Sequence, residues 1–158
     1  GSVEAEDYVK AANTIYDEIG EGEDGAFLTI GDPMIYSTFI YIMALLKERD
    51  IDIEVIPGIP SFVAAAAASK VALTVKGDRF LLIDEFDDSL LDKVNSFALL
   101  KTLSGKENIL EEIENNNFDY KYIKRVSLDN EEIIENKEEI LEDRDYISLI
   151  LARRKEEI

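Results

Sequence analysis

The 158-residue chain contains no cysteine and no histidine. Without cysteine there can be no disulfide, no thiolate zinc site and no thiol nucleophile. Without histidine, Ser-His-Asp triads, imidazole metal sites and imidazole general bases fall away. Any chemistry is left to carboxylates, lysine, tyrosine, serine and the backbone. Tryptophan is absent too, and there are only 3 prolines and 8 glycines. Positive charge is also scarce: 17 Lys and Arg stand against 35 Asp and Glu, a net charge of -18. Sequence-independent nucleic-acid binding relies on cations that neutralise phosphates, so this balance argues against it. The same charge is repelled by an anionic membrane surface. No apolar run approaches the length of a membrane span, and no secretory leader pattern is visible, so a cytoplasmic setting is expected. The opening Gly1-Ser2, with no Met, has the look of a tag-cleavage remnant.

Hydrophobic residues make up 46% of the chain and charged residues 33%, enough apolar side chain for a packed core. Ala5, Tyr8, Val9, Ala12, Ile15, Tyr16 and Ile19 recur at helical spacing, which predicts a helix over 4–19 that stops at Gly20. An acidic, glycine-rich turn follows over 20–25. The apolar run 26–30 then reads as a buried strand that ends abruptly at Gly31-Asp32-Pro33. A buried helix is predicted over 35–47 and a second short strand over 52–56, stopped by Pro57-Gly58-Ile59-Pro60. Ser61 can cap an alanine-rich helix over 62–69. This alternation argues for an α/β lobe with parallel strands, the ligand loops lying at their carboxyl ends. Residues 71–78 read as a connector. Beyond it the pattern predicts strands over 79–83, 97–103, 120–126 and 146–153, and helices over 89–94, 106–115 and 130–141. The fold class is therefore α/β in two lobes, with an N-terminal lobe over 3–70 and a C-terminal lobe over 79–158. The acid-rich stretches of the second lobe have helical spacing and read as solvated faces, so no metal site is assigned.

Two loops could carry chemistry. In the first, running from Gly31 to Thr38, glycine permits close backbone approach to a ligand. Asp32 supplies an acceptor-only carboxylate, for a ligand or for the cap of the helix beginning near Pro33. In the second, Pro57 to Phe62, two prolines and a glycine fix the chain path. Five alanines then allow close packing of the helix on a sheet or on a flat ligand. Neither loop matches a Walker pattern, and there is no G-x-G-x-x-G.

Taken together, the segments FLTIGDPMIYSTFIYIMALL (27–46) and IEVIPGIPSFVAAAAAS (53–69) resemble the tetrapyrrole methylase family. They most resemble its branch that methylates C20 of precorrin-2 or cobalt-factor II in cobalamin biosynthesis. SFALLKTL (96–103), YIKRVSLDNEEI (122–133) and DYISLILARR (145–154) follow in the family's order. The resemblance implies S-adenosylmethionine as cofactor, a tetrapyrrole substrate, two α/β lobes and a homodimer. By position it implies cofactor contacts at Gly31, Asp32, Pro33 and Tyr36, at Pro60, Ser61 and Phe62, at Leu100, and at Ser127 and Leu128. It assigns no catalytic base. The family's leading strand and glycine-rich loop have no counterpart here, so the first lobe is expected to be partial and the activity impaired. A tetrapyrrole polycarboxylate would need local cations, for which Arg79, Lys101, Arg125, Arg153 and Arg154 are candidates. Two classes stay open: part of a methyltransferase of this or a related branch, or an interaction module that keeps the fold without the cofactor.

Overall fold

A computed structural model of the chain describes residues 5–20, 22–102 and 104–155. Expectations at residue 4, at Glu21 in the acidic turn and at Leu103 lie outside the described residues. The chain divides into two compact units, Gly1–Pro60 and Ser61–Ile158, so the division falls ten residues before the connector expected from the sequence.

The first unit rests on two helices, α1 (Ala5–Glu18) and α2 (Phe39–Lys47). Ala12, Ile42 and Leu46 are buried between them, with Tyr8, Ala11, Ile15, Leu45, Ile51 and Ile53 packed around. Tyr8 and Tyr41 stack with ring centroids 4.8 Å apart, and the Arg49 guanidinium lies 5.1 Å from the Tyr16 ring centroid. The strands expected over 26–30 and 52–56 do not form. A strand exists only by pairing its backbone with a neighbour, and the described part of this unit offers none. The apolar side chains there stay in water: Leu28 is 89% exposed, Ile56 75%, and Ile30 fully. α2 also starts later than expected. Tyr36 adopts φ 47, outside the right-handed helical region, and the helix begins only after the Ser37 hydroxyl has accepted the Phe39 N–H at 3.2 Å.

The second unit is a three-layer α/β structure. Its five strands are β1 (Phe80–Ile83), β2 (Ser96–Leu100), β3 (Phe118–Lys124), β4 (Glu132–Ile134) and β5 (Ser148–Arg154), in the spatial order β1-β2-β5-β3-β4. β1 and β2 run parallel and every other neighbouring pair is antiparallel. Side chains alternate cleanly between the faces. Phe97, Leu99, Phe118, Tyr122, Ile150 and Ala152 face one core, which α4 (Lys106–Asn115) and α5 (Lys137–Glu142) cover with Ile109, Leu110, Ile113 and Ile140. Ala98, Leu100, Ile123, Leu149 and Leu151 face the other, where α3 (Ser61–Ser69) packs through Ala65, Ala66 and Phe62. Alanine on that helix lets its backbone come close to the sheet, so the small residues serve packing. The acidic helix expected over 130–141 is instead β4 followed by α5. Ile134 pairs with Tyr122 and Glu132 with Lys124, so the free edge of β3 overrides local helical spacing. Asn136 then caps α5 by accepting the Glu139 N–H at 2.9 Å.

A buried polar cluster ties three elements of this unit together. Lys106, only 4% exposed at the start of α4, donates to the Tyr122 hydroxyl at 3.3 Å and to the carbonyls of Ile140 at 3.0 Å and Asp143 at 2.6 Å. The Asp143 carboxylate accepts from the Tyr122 hydroxyl at 2.9 Å, from Lys124 at 2.8 Å and from the Asp145 N–H at 2.7 Å. Burial alone would raise the Asp143 pKa, but these three donors outweigh it and hold the carboxyl at about 2. Burial likewise pushes the Tyr122 phenol up, to about 12, and lowers the Lys106 ammonium. A carboxyl depressed on folding stabilises above its unfolded value, and that contribution disappears as pH falls through the folded one. From pH 6 down to pH 2 the wild type is therefore expected to lose about 2 kcal/mol more stability than Asp143→Asn. Urea unfolding at the two pH values checks this; parallel losses in the two proteins would show that Asp143 does not titrate as described.

Candidate functional site

The loop that begins at Gly31 is built around one carboxylate. Asp32 Oδ1 accepts the Met34 N–H at 2.8 Å and Oδ2 accepts the Gly58 N–H at 2.9 Å. Asp32 therefore caps no helix, since α2 begins seven residues later. It closes its own turn and binds that turn to the Pro57–Pro60 segment, with both oxygens engaged by backbone donors. Gly31 has φ 81, a conformation that glycine reaches without steric cost. Gly58 is required for a different reason: a Cβ there would lie 2.0 Å from the Gly31 carbonyl oxygen. Sequence reasoning gave Gly58 a part in fixing the path of the second loop, but not its close approach to Gly31 or its bond to Asp32. Pro33 is half-buried and Tyr36 about half exposed. Tyr41, a conceivable acid or base, instead stacks on Tyr8.

In the second unit the expected residues fall into three places. Ser61 is the first residue of α3, and Phe62 stacks on Phe80 with centroids 5.5 Å apart. Phe62 is thus a core residue. Leu100 ends β2, packed in the same core, and also lines an open cleft of about 280 Å³. That cleft sits at the carboxyl ends of the parallel pair β1 and β2. Asp84, Glu85, Phe86, Leu99, Lys101, Thr102, Ser104 and Ile109 complete its lining. Ser127 and Leu128 lie in the turn between β3 and β4. Ser127 has φ 67 and its N–H donates to Glu131 Oε2 at 2.7 Å, while Leu128 is half exposed.

The candidate cations sort themselves by partner. Arg153 pairs with Asp78 at 2.6 Å and reaches the Ala72 and Leu73 carbonyls. Arg154 donates to the carbonyls of Leu91, Val94 and Asn116 at 2.6, 3.0 and 3.1 Å. Arg125 pairs with Asp145 at 2.6 Å. All three are engaged within the fold, in the structural strand-end role that is the alternative for each, although the Arg125 side chain stays 34% exposed. Arg79 and Lys101 are exposed. Among the described residues no cluster of acidic side chains is arranged to hold a metal ion, and no helix is long and apolar enough to cross a membrane.

The second unit thus carries an open cleft at the carboxyl ends of its parallel strand pair, and the first unit a pair of loops joined through one aspartate. The chain belongs to the family described as Tetrapyrrole (Corrin/Porphyrin) Methylases, which it matches over residues 1–142. It is 32% identical over 139 residues to a Methanocaldococcus jannaschii protein named "Probable cobalt-precorrin-2 C(20)-methyltransferase", covering 84% of this chain and 60% of that protein. It is 29% identical over 108 residues to the Salmonella typhimurium cobalt-precorrin-2 C(20)-methyltransferase, covering 60% of this chain and 45% of that protein. The chain thus spans about half the length of these two relatives. Among solved structures, the fold is similar to that of a cobalt precorrin-4 methyltransferase, with a TM-score of 0.76 at 22% identity over 97% of this chain and 72% of that one. It is also similar to the uroporphyrin-III C-methyl transferase of Thermus thermophilus complexed with S-adenyl homocysteine, with a TM-score of 0.58 at 20% identity over 78% of this chain and 62% of that one.

Proposed function

We propose that this chain carries the cofactor-binding part of an S-adenosylmethionine-dependent C-methyltransferase acting on C20 of precorrin-2 or cobalt-factor II. The observation that carries the reading is the bond from Gly58 N–H to Asp32. It joins the two loops that the family resemblance assigns to the cofactor. The residues fit such a ligand in two respects. Around Gly31 the main chain is bare of side chain, so a flat or charged group can approach backbone donors and acceptors directly. The cleft beside Leu100 combines apolar walls with the Thr102 and Ser104 hydroxyls and is a little smaller than the usual small-molecule pocket of about 300–1,000 Å³.

When bound, S-adenosylmethionine supplies a methyl group already activated on a sulfonium, so no protein nucleophile is needed. That is consistent with a chain without histidine or cysteine. What the protein contributes is orientation. Asp32 does this indirectly: by fixing Gly31 and Gly58 against each other it sets the path of both loops, and Pro33, Pro57 and Pro60 stiffen that path. Pro60, Ser61 and Phe62 hold the second loop to α3, and Leu100, Ser127 and Leu128 are the proposed contacts in the second unit. A homodimer in the cytoplasm, taking a tetrapyrrole and neither nucleic acid nor membrane, belongs to the same proposal.

Calorimetric titration of S-adenosylmethionine tests it. Saturable binding is expected, and Asp32→Ala is expected to weaken it at least tenfold because both loops lose their common anchor. The absence of saturable heat at millimolar cofactor would overturn the reading. It would favour the cofactor-free interaction module instead, for which exposed Leu28, Ile30 and Ile56 would be the surface.

A further inference from the structure

Lys101 is one of seven described non-glycine residues with a positive φ, and the one of them that lines the cleft. It directly follows β2, where a right-handed or extended backbone is expected, yet it has φ 56. Only glycine, and sometimes asparagine or aspartate, enters that region readily, and a lysine there is strained. The strain is not a loose end, because the Lys101 N–H is held by the Ser148 carbonyl at 3.0 Å. Residues kept in such conformations by their surroundings concentrate at sites of function. The turn it makes puts Lys101 on the lining of the cleft at the carboxyl ends of β1 and β2.

Its charge is equally out of pattern. Among the described residues, Lys101 is the one cation lining the cleft, and its side chain forms no ion pair within 4.0 Å with any of them. Its ammonium lies 5.8 Å from the Tyr146 ring centroid, a contact that orients a cation without neutralising it. By contrast Lys121, Lys124, Lys137, Arg125 and Arg153 all pair with carboxylates. In a chain with two acids for every base, a strained lysine left unpaired in a cleft is a vacancy for an anion from outside. The exposed Ser104 hydroxyl on the same lining can share that anion's oxygens. Asp84 and Glu85, on the same lining, repel any anion, so a carboxylate can settle there only in direct contact with the Lys101 ammonium.

We propose that Lys101 is a specificity-determining residue that anchors a ligand carboxylate in this cleft. The proposal rests on the methyltransferase reading, which provides two carboxylate sources: the acid side chains of the tetrapyrrole and the amino-acid end of the cofactor. The chemistry is shared, and the test separates the sources.

Binding of uroporphyrin, an octacarboxylate tetrapyrrole, is followed by fluorescence beside its octamethyl ester. S-Adenosylmethionine is titrated beside its decarboxylated form. Lys101→Met is expected to weaken one carboxylate ligand at least tenfold and to leave its carboxylate-free counterpart unchanged; Lys101→Arg is expected to stay within threefold of wild type. Loss confined to uroporphyrin assigns the anchor to the substrate, and loss confined to S-adenosylmethionine assigns it to the cofactor. Wild-type binding that Lys101→Met leaves intact, or weakens equally for the carboxylate-free ligands, overturns the proposal alone. Failure of the wild type to bind either ligand overturns the methyltransferase reading with it.

Discussion

Gly58→Ala is expected to separate the two loops of the first unit. The added methyl carbon would lie 2.0 Å from the Gly31 carbonyl oxygen, far inside any tolerable contact, and that oxygen is backbone, which cannot rotate aside. The segments must part, and the bond from the Gly58 N–H to the Asp32 carboxylate breaks with them. A hydrogen bond to a charged group contributes about 1.5–3 kcal/mol, so protection of the Gly58 amide against hydrogen exchange should fall roughly ten- to a hundredfold. S-Adenosylmethionine affinity should fall at least as far as in Asp32→Ala. The fold of the second unit should be untouched, because the contact lies wholly within the first. A variant with wild-type amide protection and wild-type cofactor affinity would show that the close approach of the loops is incidental.

The other large effect is expected at Lys106. Lys106→Met keeps the length of the side chain and removes an awkward buried charge, a change that by itself can be neutral or favourable. What decides the sign is the set of acceptors left behind. The Ile140 carbonyl loses its side-chain donor, whereas the Asp143 carbonyl keeps Arg144 and the Tyr122 hydroxyl still donates to the Asp143 carboxylate. An orphaned buried group costs about 1–3 kcal/mol, so a net loss of about 2 kcal/mol is expected, or roughly 6 °C in the thermal midpoint. Lys106→Ala should lose more, since it adds a cavity beneath α4. Urea unfolding of both variants decides it. A Lys106→Met protein within 0.5 kcal/mol of wild type would mean that the Ile140 carbonyl finds another donor.

The second unit was largely legible in the sequence because its residues satisfy each other. β2 from Phe97 to Leu100 and β5 from Leu149 to Ala152 are unbroken apolar runs, as strands covered on both faces must be, and α4 carries Ile109, Leu110 and Ile113 at helical spacing. The misreading there, β4 taken as helix, came from three residues whose neighbours are acidic and whose partner strand is remote in sequence. The first unit was legible only as pattern. Residues 26–30 have the composition of a strand, but composition cannot supply a neighbour, and without pairing the same residues lie exposed. Site reasoning fared likewise. Asp32 stands out in the sequence as an acceptor carboxylate, yet its two partners are backbone N–H groups, one of them 26 residues away, and backbone donors leave no trace in side-chain spelling. The arginines of β5 stay open between two roles for the opposite reason: their charge is visible in sequence, whereas the carbonyls that engage it are not.

The strand order has a kinetic side. β5 follows every other strand along the chain, yet it lies between β2 and β3 and is the sole link joining β1-β2 to β3-β4. While the polypeptide is still being made, the earlier strands can assemble only as two unconnected pairs with open, apolar edges. The sheet closes in a single late event, when residues 148–154 insert between them. A ribosome paused before that segment therefore displays two sticky half-sheets, and holding them apart until residues 148–154 emerge falls to chaperones or to speed of synthesis.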